Sequence, residues 1–243
     1  MSPVHTALIH GGFEWAAILV GARLYLRDAG QSLRKLGTTR NFAVVCGCVA
    51  GAAVGNKAVH WIQHVEQWPR VLASPWLVLQ GQSIVGGLLG GLVGVEIGKH
   101  LAGITESTGD RFVVPILAGL FIGRIGCFIA GLADDTYGNP TNLPWGYDFG
   151  DGVRRHPTQI YDMLFAVGAF LILRHFRTAL AREPGLQFKL LLAGYLLWRL
   201  AIDGLKPVPY PMAGGLSGIQ LVCVVALLLY LPLVLRQAAR LKS

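Results

Sequence analysis

The first chemistry this sequence offers is an arginine inside an apolar run. Arg124 lies in Phe121-Ile-Gly123-Arg124-Ile-Gly126-Cys127-Phe128-Ile-Ala-Gly131. A charge at the middle of a membrane span costs about 2.5–3.5 kcal/mol on insertion scales, so it calls for a function. Glycines 123 and 126 leave its flanks open to the polar group of a substrate. A second polar segment, Arg154-Arg155-His156-Pro157-Thr158-Gln159-Ile-Tyr161-Asp162, begins the next apolar run. Further on, Tyr195, Arg199 and Asp203 recur every fourth residue, which puts a hydroxyl, a guanidinium and a carboxylate on one helical face. A guanidinium keeps its charge and grips phosphate through paired N–H donors. Arg124, Arg155 and Arg199 therefore suit a phosphate ester, and the abundant phosphate ester of a membrane is a phospholipid headgroup. Each has a structural alternative. Arg124 can pair with a carboxylate of another span, Asp203 can neutralise Arg199, and Arg154 and Arg155 can be solvated loop charge.

Smaller groups surround these. His10 and Glu14 are four apart and share a face, either as a self-satisfying pair or as part of a lining. Gln82 and Ser83 stand at the outer end of a glycine-rich run and are candidates for the site wall. Gln159 and Tyr161 open the run after Pro157. Asn56 and His60 share a side of their run, and Lys57 has the reach to snorkel to the outer surface. Four cysteines, Cys46, Cys48, Cys127 and Cys223, fall in apolar runs and read as buried, inert thiols. Cys127 alone shares the face of Arg124, which gives it the further option of a covalent relay. No P-loop, zinc-ligand spacing, nucleophile elbow or Rossmann fingerprint occurs, so neither a metal nor another cofactor is expected.

The elements that must hold these residues are membrane helices. The chain has 243 residues, 53% of them hydrophobic and 14% charged, which excludes an ordinary soluble domain. Apolar runs at 4–22, 42–62, 76–98, 112–132, 158–174, 188–206 and 216–235 have about the length a span needs. The expectation is an all-α, multi-pass membrane protein with about seven transmembrane helices, forming a single domain over 1–243. Gly47, Gly51 and Gly55 make one small-residue ridge, and Gly86, Gly90, Gly94 and Gly98 make another, both suited to close helix contact.

Charge sets the expected topology. Of the 21 Lys and Arg residues, 14 fall in the connections after spans one, three and five and at the C-terminus. Only Arg70, Arg154, Arg155 and Lys206 lie in the others. The positive-inside rule then places the N-terminus outside and the C-terminus in the cytoplasm. The long connection at about 132–157, rich in turn residues and carrying Tyr137, Trp145, Tyr147 and Phe149, lies on the outer, periplasmic side. The net charge of +8 reads as topology and attraction to anionic lipid, with no nucleic-acid partner. No cleavable leader is expected, because the first run carries His5, His10 and Glu14 and lacks a basic start.

Three motifs in this order carry a resemblance. Gly123-Arg124-Ile-Gly126-x-Phe128-x-x-Gly131, Gly138-x-Pro140-Thr-x-Leu-Pro144-Trp-Gly and Arg155-His156-Pro157-Thr-Gln159-x-Tyr161-Asp162 resemble prolipoprotein diacylglyceryl transferases. The Tyr195, Arg199 and Asp203 face is similar to that family's late Tyr, Arg and Glu. The likeness runs from about residue 76 to 225. It implies transfer of a diacylglyceryl group from phosphatidylglycerol to the lipobox cysteine of a prolipoprotein signal peptide, forming a thioether and releasing glycerol 1-phosphate in a bacterial inner membrane. It also implies that Arg124 and Arg199 bind headgroup and phosphate, that Tyr195 positions substrate, and that His156 or Asp203 assists deprotonation of the thiol.

The chain departs from the family pattern at several points. Cys127 and Ala130 stand where the family has Asn, Leu132 where it has Glu, and Val85 where it has the histidine often taken as base. Asp134 and Asp135 offer a replacement carboxylate in a shifted register. These departures fit a divergent paralogue, with another acceptor for the diacylglyceryl group or a non-catalytic phospholipid-binding role as alternatives. An unrelated transporter would be marked by an inverted repeat, and none is evident.

Overall fold

In a computed structural model, residues 3–28, 39–208 and 210–242 are described, and they fold mostly as helix. Helices α1 (Pro3–Asp28), α2 (Thr39–Gln63), α3 (Ile84–Ala102), α4 (Val113–Ala130), α5 (Thr158–His175), α6 (Leu186–Ile202) and α7 (Gly218–Ala239) carry the fold. Strands β1 (Tyr147–Asp148) and β2 (Arg154–Arg155) pair antiparallel in the long connection before α5.

The polypeptide is an all-α membrane protein. Four stretches are long and apolar enough to cross a bilayer: Phe42–Gln63, Ile84–Ala102, Gly109–Asp134 and Gly218–Ala239. The remaining three long helices have a visible reason to fall outside that set. Polar Thr158, Gln159, Tyr161 and Asp162 open α5, α6 has only 17 residues, and His10, Glu14, Arg23 and Arg27 interrupt α1.

Two boundaries differ from the sequence reading. The third run was expected to be helical from residue 76, but Pro75–Leu79 forms a 3-10 turn and α3 starts at Ile84. Ser83 explains the late start. Its hydroxyl accepts from Gly86 N at 3.3 Å as an N-cap, and Gly81 just before it has φ +72. The sixth run was expected to reach 206, but α6 stops at Ile202 and a 3-10 turn over Asp203–Leu205 follows.

The glycine ridges mesh with each other. A Cβ at Gly47 would lie 2.2 Å from Gly94 O, one at Gly51 2.2 Å from Gly90 O, and one at Gly55 2.3 Å from Gly86 O. Helices α2 and α3 thus touch backbone to backbone, which side chains at these positions would forbid. Next to this seam, Asn56 Oδ1 accepts from Ser83 N at 2.8 Å. Lys57 donates to Gly81 O, so it fastens the turn before α3 instead of snorkelling outward.

Helix α4 packs between α1 and α5, and α6 packs on α7. The apolar core between them is centred on Leu186, Leu192, Leu196 and Cys223, with Val85 and Leu117 adjoining. Two cysteines depart from the expectation of burial: Cys46 is exposed on α2 and Cys48 is only half-buried.

Candidate active site

The ends of α4, α5 and α6 bring the arginines together. Arg124 is 6% exposed and its Nε lies 2.8 Å from Oδ2 of Asp162, which is wholly buried on α5. Oδ1 of that carboxylate accepts from Trp198 Nε1 on α6 at 2.7 Å. One carboxylate thus joins three helices. Arg124 Nη1 also donates to Cys127 Sγ, one turn along α4, at 3.7 Å. Its Nη2 donates no hydrogen bond within the described residues.

One helix along, Arg199 Nη2 donates to Asp203 Oδ1 at 2.6 Å, as the four-residue spacing allowed. Asp203 Oδ2 accepts from Ser217 Oγ, the N-cap of α7, so this pair is locked to the start of the last helix. Arg199 Nε and the hydroxyl of Tyr195, which is 2% exposed, have no hydrogen-bond partner among the described residues. Buried polar atoms of this kind normally find a partner.

Lys206, just past the 3-10 turn, completes the cluster. Burial pushes its ammonium down to about 7, and Arg199 and Arg124 push in the same direction, against Asp162 and Asp203. Three basic groups and two carboxylates therefore influence one another here. With Lys206 protonated, these five groups carry one excess positive charge, a match for a phosphodiester monoanion. The sequence reading counted Lys206 only as a charge in a connection. In the sequence Asp162 is only the last residue of a polar segment.

The other candidate residues fall in separate places. Gly126 is a packing glycine, since a Cβ there would lie 2.6 Å from Phe13 Cβ of α1, so its flank is filled by protein and not open to substrate. A Cβ at Gly123 would meet nothing within 4 Å. Ser83 caps α3, while Gln82 is exposed beside it. Gln159 is buried and donates to Thr136 Oγ1 at 3.2 Å, with its Oε1 unpartnered.

The connection before α5 is a folded unit. Arg154 donates to Gly146 O at 3.1 Å and to Pro144 O at 2.6 Å, and so closes the turn. Arg155 pairs with Asp151 at 2.7 Å and lies over the Tyr137 ring at 5.2 Å. Asp151 raises the Arg155 pKa further, and Arg155 lowers that of Asp151. His156 Nδ1 lies 3.3 Å from Tyr161 Oη, which also accepts from Trp145 Nε1 at 2.8 Å. Together with Trp198 and Leu164 they line a largely apolar groove of about 650 Å³. A second apolar cavity of about 250 Å³ lies between Leu88, Ile116, Leu120, Phe165, Leu192 and Tyr195.

A third group assembles beside Arg124. Gly131 ends α4 with φ 64, a backbone that favours glycine, and the chain doubles back through a 3-10 turn. That reversal brings Asp134 to His10 of α1, with Oδ1 2.8 Å from Nδ1. Cys127 Sγ belongs to the same set, and the three ligand atoms lie within 4.8 Å of one another. Glu14 Oε1 stands 3.2 Å from His10 Nε2, so the expected Glu14–His10 pair forms within a larger group.

A family model described as prolipoprotein diacylglyceryl transferase matches residues 7–236. A relative from Solidesulfovibrio magneticus is 33% identical over 183 residues, covering 70% of this chain and 65% of its own length. One from Geobacter sulfurreducens is 28% identical over 240 residues, covering 90% of this chain and 86% of its own. One from Legionella pneumophila is 32% identical over 168 residues, covering 68% and 64%. All three are named phosphatidylglycerol–prolipoprotein diacylglyceryl transferase. The chain thus spans just under two thirds of the first and third of these relatives. With the match running over nearly its whole length, the chain belongs to the prolipoprotein diacylglyceryl transferase family.

Proposed function

We propose that this protein transfers a diacylglyceryl group from phosphatidylglycerol to the lipobox cysteine of a prolipoprotein. The observation that carries the reading is the pair of buried arginines, Arg124 on Asp162 and Arg199 on Asp203, with the half-buried Lys206 close enough to interact with both pairs. The anionic headgroup neutralises the excess charge of these groups. Arg124 Nη2, Arg199 Nε and Tyr195 Oη are the donors free to meet the phosphate oxygens. In the reaction the cysteine sulfur bonds to the diacylglyceryl carbon. The carbon–oxygen bond breaks, and its electron pair leaves on the phosphate oxygen as glycerol 1-phosphate. Negative charge grows on that phosphate, and preorganised guanidinium groups stabilise it. The apolar cavity ending at Tyr195 suits an acyl chain, and the groove at His156 and Trp198 suits a second chain or the signal peptide.

The same reading places seven spans in a bacterial inner membrane, with the N-terminus outside, the C-terminus in the cytoplasm and the 132–157 connection on the periplasmic side. Arg155, Gln159, Tyr161 and Gly123 would border the headgroup, and His156 or Asp203 would assist the thiol. A second reading, phospholipid binding without transfer, is favoured by Val85 and Cys127, which replace the family's His and Asn.

Release of glycerol 1-phosphate from phosphatidylglycerol separates the two. Release that requires a lipobox peptide with Cys, and is absent with the Ser peptide, supports transfer. Phosphatidylglycerol bound without release under either condition overturns it.

A further inference from the structure

His10, Cys127 and Asp134 come from α1, α4 and the turn after α4, and offer one nitrogen, one sulfur and one oxygen within 4.8 Å of one another. That set suits a first-row divalent ion, zinc above all. A tetrahedral zinc ion would hold its ligands about 3.5 Å apart, so adjustments of roughly 1 Å close the site.

What distinguishes the group from a chance cluster is the support behind each ligand atom. Glu14 Oε1 lies 3.2 Å from His10 Nε2, which fixes the ring with Nδ1 turned toward Asp134. Thr136 Oγ1 donates to Asp134 Oδ2, so Oδ1 is the oxygen that faces His10 Nδ1, at 2.8 Å, a pair the ion would have to part. Arg124 Nη1 donates to Cys127 Sγ at 3.7 Å, the contact expected to steady a thiolate. Such outer partners orient metal ligands and tune their basicity. Cys127 is buried, and the Asp134 side chain is only 6% exposed.

We propose that His10, Cys127 and Asp134 bind a divalent metal ion, zinc by ligand type, whose fourth position takes the acceptor cysteine thiol. Three protein ligands with mixed N, S and O donors leave a coordination position open, as catalytic zinc sites do. The site rests on geometry alone, and its role as thiol binder rests on the transferase reading above. On coordination the thiol releases its proton to water and becomes a thiolate. Its sulfur then attacks the diacylglyceryl carbon and the glycerol phosphate leaves, as already described. The metal would thus supply the activated sulfur in a chain where Val85 replaces the family's histidine. One thiolate and one carboxylate neutralise the ion, so it can sit beside Arg124 without net repulsion.

The test uses the purified full-length chain in detergent, stripped with a chelator and titrated with Co²⁺ as spectroscopic probe. The expected result is one equivalent bound, with a sulfur-to-cobalt charge-transfer band. Cys127→Ser should remove the band and weaken binding of competing Zn²⁺ by at least about 100-fold, and Glu14→Gln should weaken it about 10-fold. A lipobox peptide with Cys should intensify the band, and the Ser peptide should not. No band in the wild type, or a band that survives Cys127→Ser, overturns the metal site. An unchanged band on adding the Cys peptide overturns the assignment of the fourth position. Glycerol 1-phosphate release is read separately: its absence from the zinc-loaded protein with an intact cobalt spectrum refutes the transferase reading and leaves the site standing.

Discussion

Replacing Asp162 with Asn tests how Arg124, the arginine proposed to bind phosphate, is held. The change keeps the shape and the acceptor for Trp198 Nε1, but removes the charge 2.8 Å from Arg124 Nε. Asp162 is fully buried and the Arg124 side chain is only 7% exposed, so water cannot replace the lost partner. Removing one member of a buried ion pair costs about 3–5 kcal/mol, because the remaining charge is left uncompensated. For a chain of this size, about 3 kcal/mol corresponds to a melting temperature lower by about 10 °C. The assay is thermal unfolding in a neutral detergent, with and without phosphatidylglycerol. Since the lipid's phosphate supplies the missing negative charge, phosphatidylglycerol should raise the melting temperature of Asp162→Asn more than that of the wild type. Transfer should fall, because the guanidinium is no longer aimed. A variant that melts with the wild type, or gains no more from phosphatidylglycerol than the wild type does, would refute this account of the site.

Other expectations follow from the same contacts. Gly90→Leu would drive a side chain into Gly51 O, which already lies 2.1 Å from an ideal Cβ, and should destabilise the α2–α3 pair by about 1–3 kcal/mol; Gly168→Ala, inside α5 with nothing within 4 Å, should not lower the melting temperature and should raise it slightly, by about 0.4–1 kcal/mol of stability. Trp198→Phe removes the indole donor to the buried Asp162 carboxylate and should cost about 1.5–3 kcal/mol, read by the same unfolding assay. Lys206 gives a pH signature: its pKa of about 7 lies below the ordinary 10.5, so the unfolded chain binds the extra proton between those values and stability should rise with pH across that window. Affinity for phosphatidylglycerol should move the opposite way, weakening as pH rises through about 7, and Lys206→Met should flatten both profiles.

The residues that stand close in sequence were legible, and the ones that meet only through the fold were not. Arg199 and Asp203 sit four apart on α6, so their pairing could be read from helical geometry. The glycine ridges of α2 and α3 announced close contact through composition, although only the structure shows that each faces the other. By contrast, Asp162 and Arg124 belong to different helices, and no periodicity links them. The open possibility of a carboxylate from another span was right, but its identity needed the α4–α5 packing. The His10, Cys127 and Asp134 group escaped for the same reason. Its only local signal was Gly131, whose positive φ turns the chain back onto α4. Lys206 looked like loop charge because burial by neighbouring elements is invisible in a run of residues. The helices α1, α5 and α6 were expected as spans from their apolar runs, and polar residues or short length keep them out of the strongly apolar set.

The measurement that bears most directly on the central claim is the mass of a lipobox peptide after incubation with the purified protein and phosphatidylglycerol. The account predicts that the peptide's cysteine gains one diacylglyceryl group with the wild type. It predicts no gain with Arg124→Ala or Arg199→Ala, which remove the guanidinium groups proposed to hold the phosphate. An unmodified peptide in the presence of bound phosphatidylglycerol, or a mass gain that persists in both variants, would contradict it.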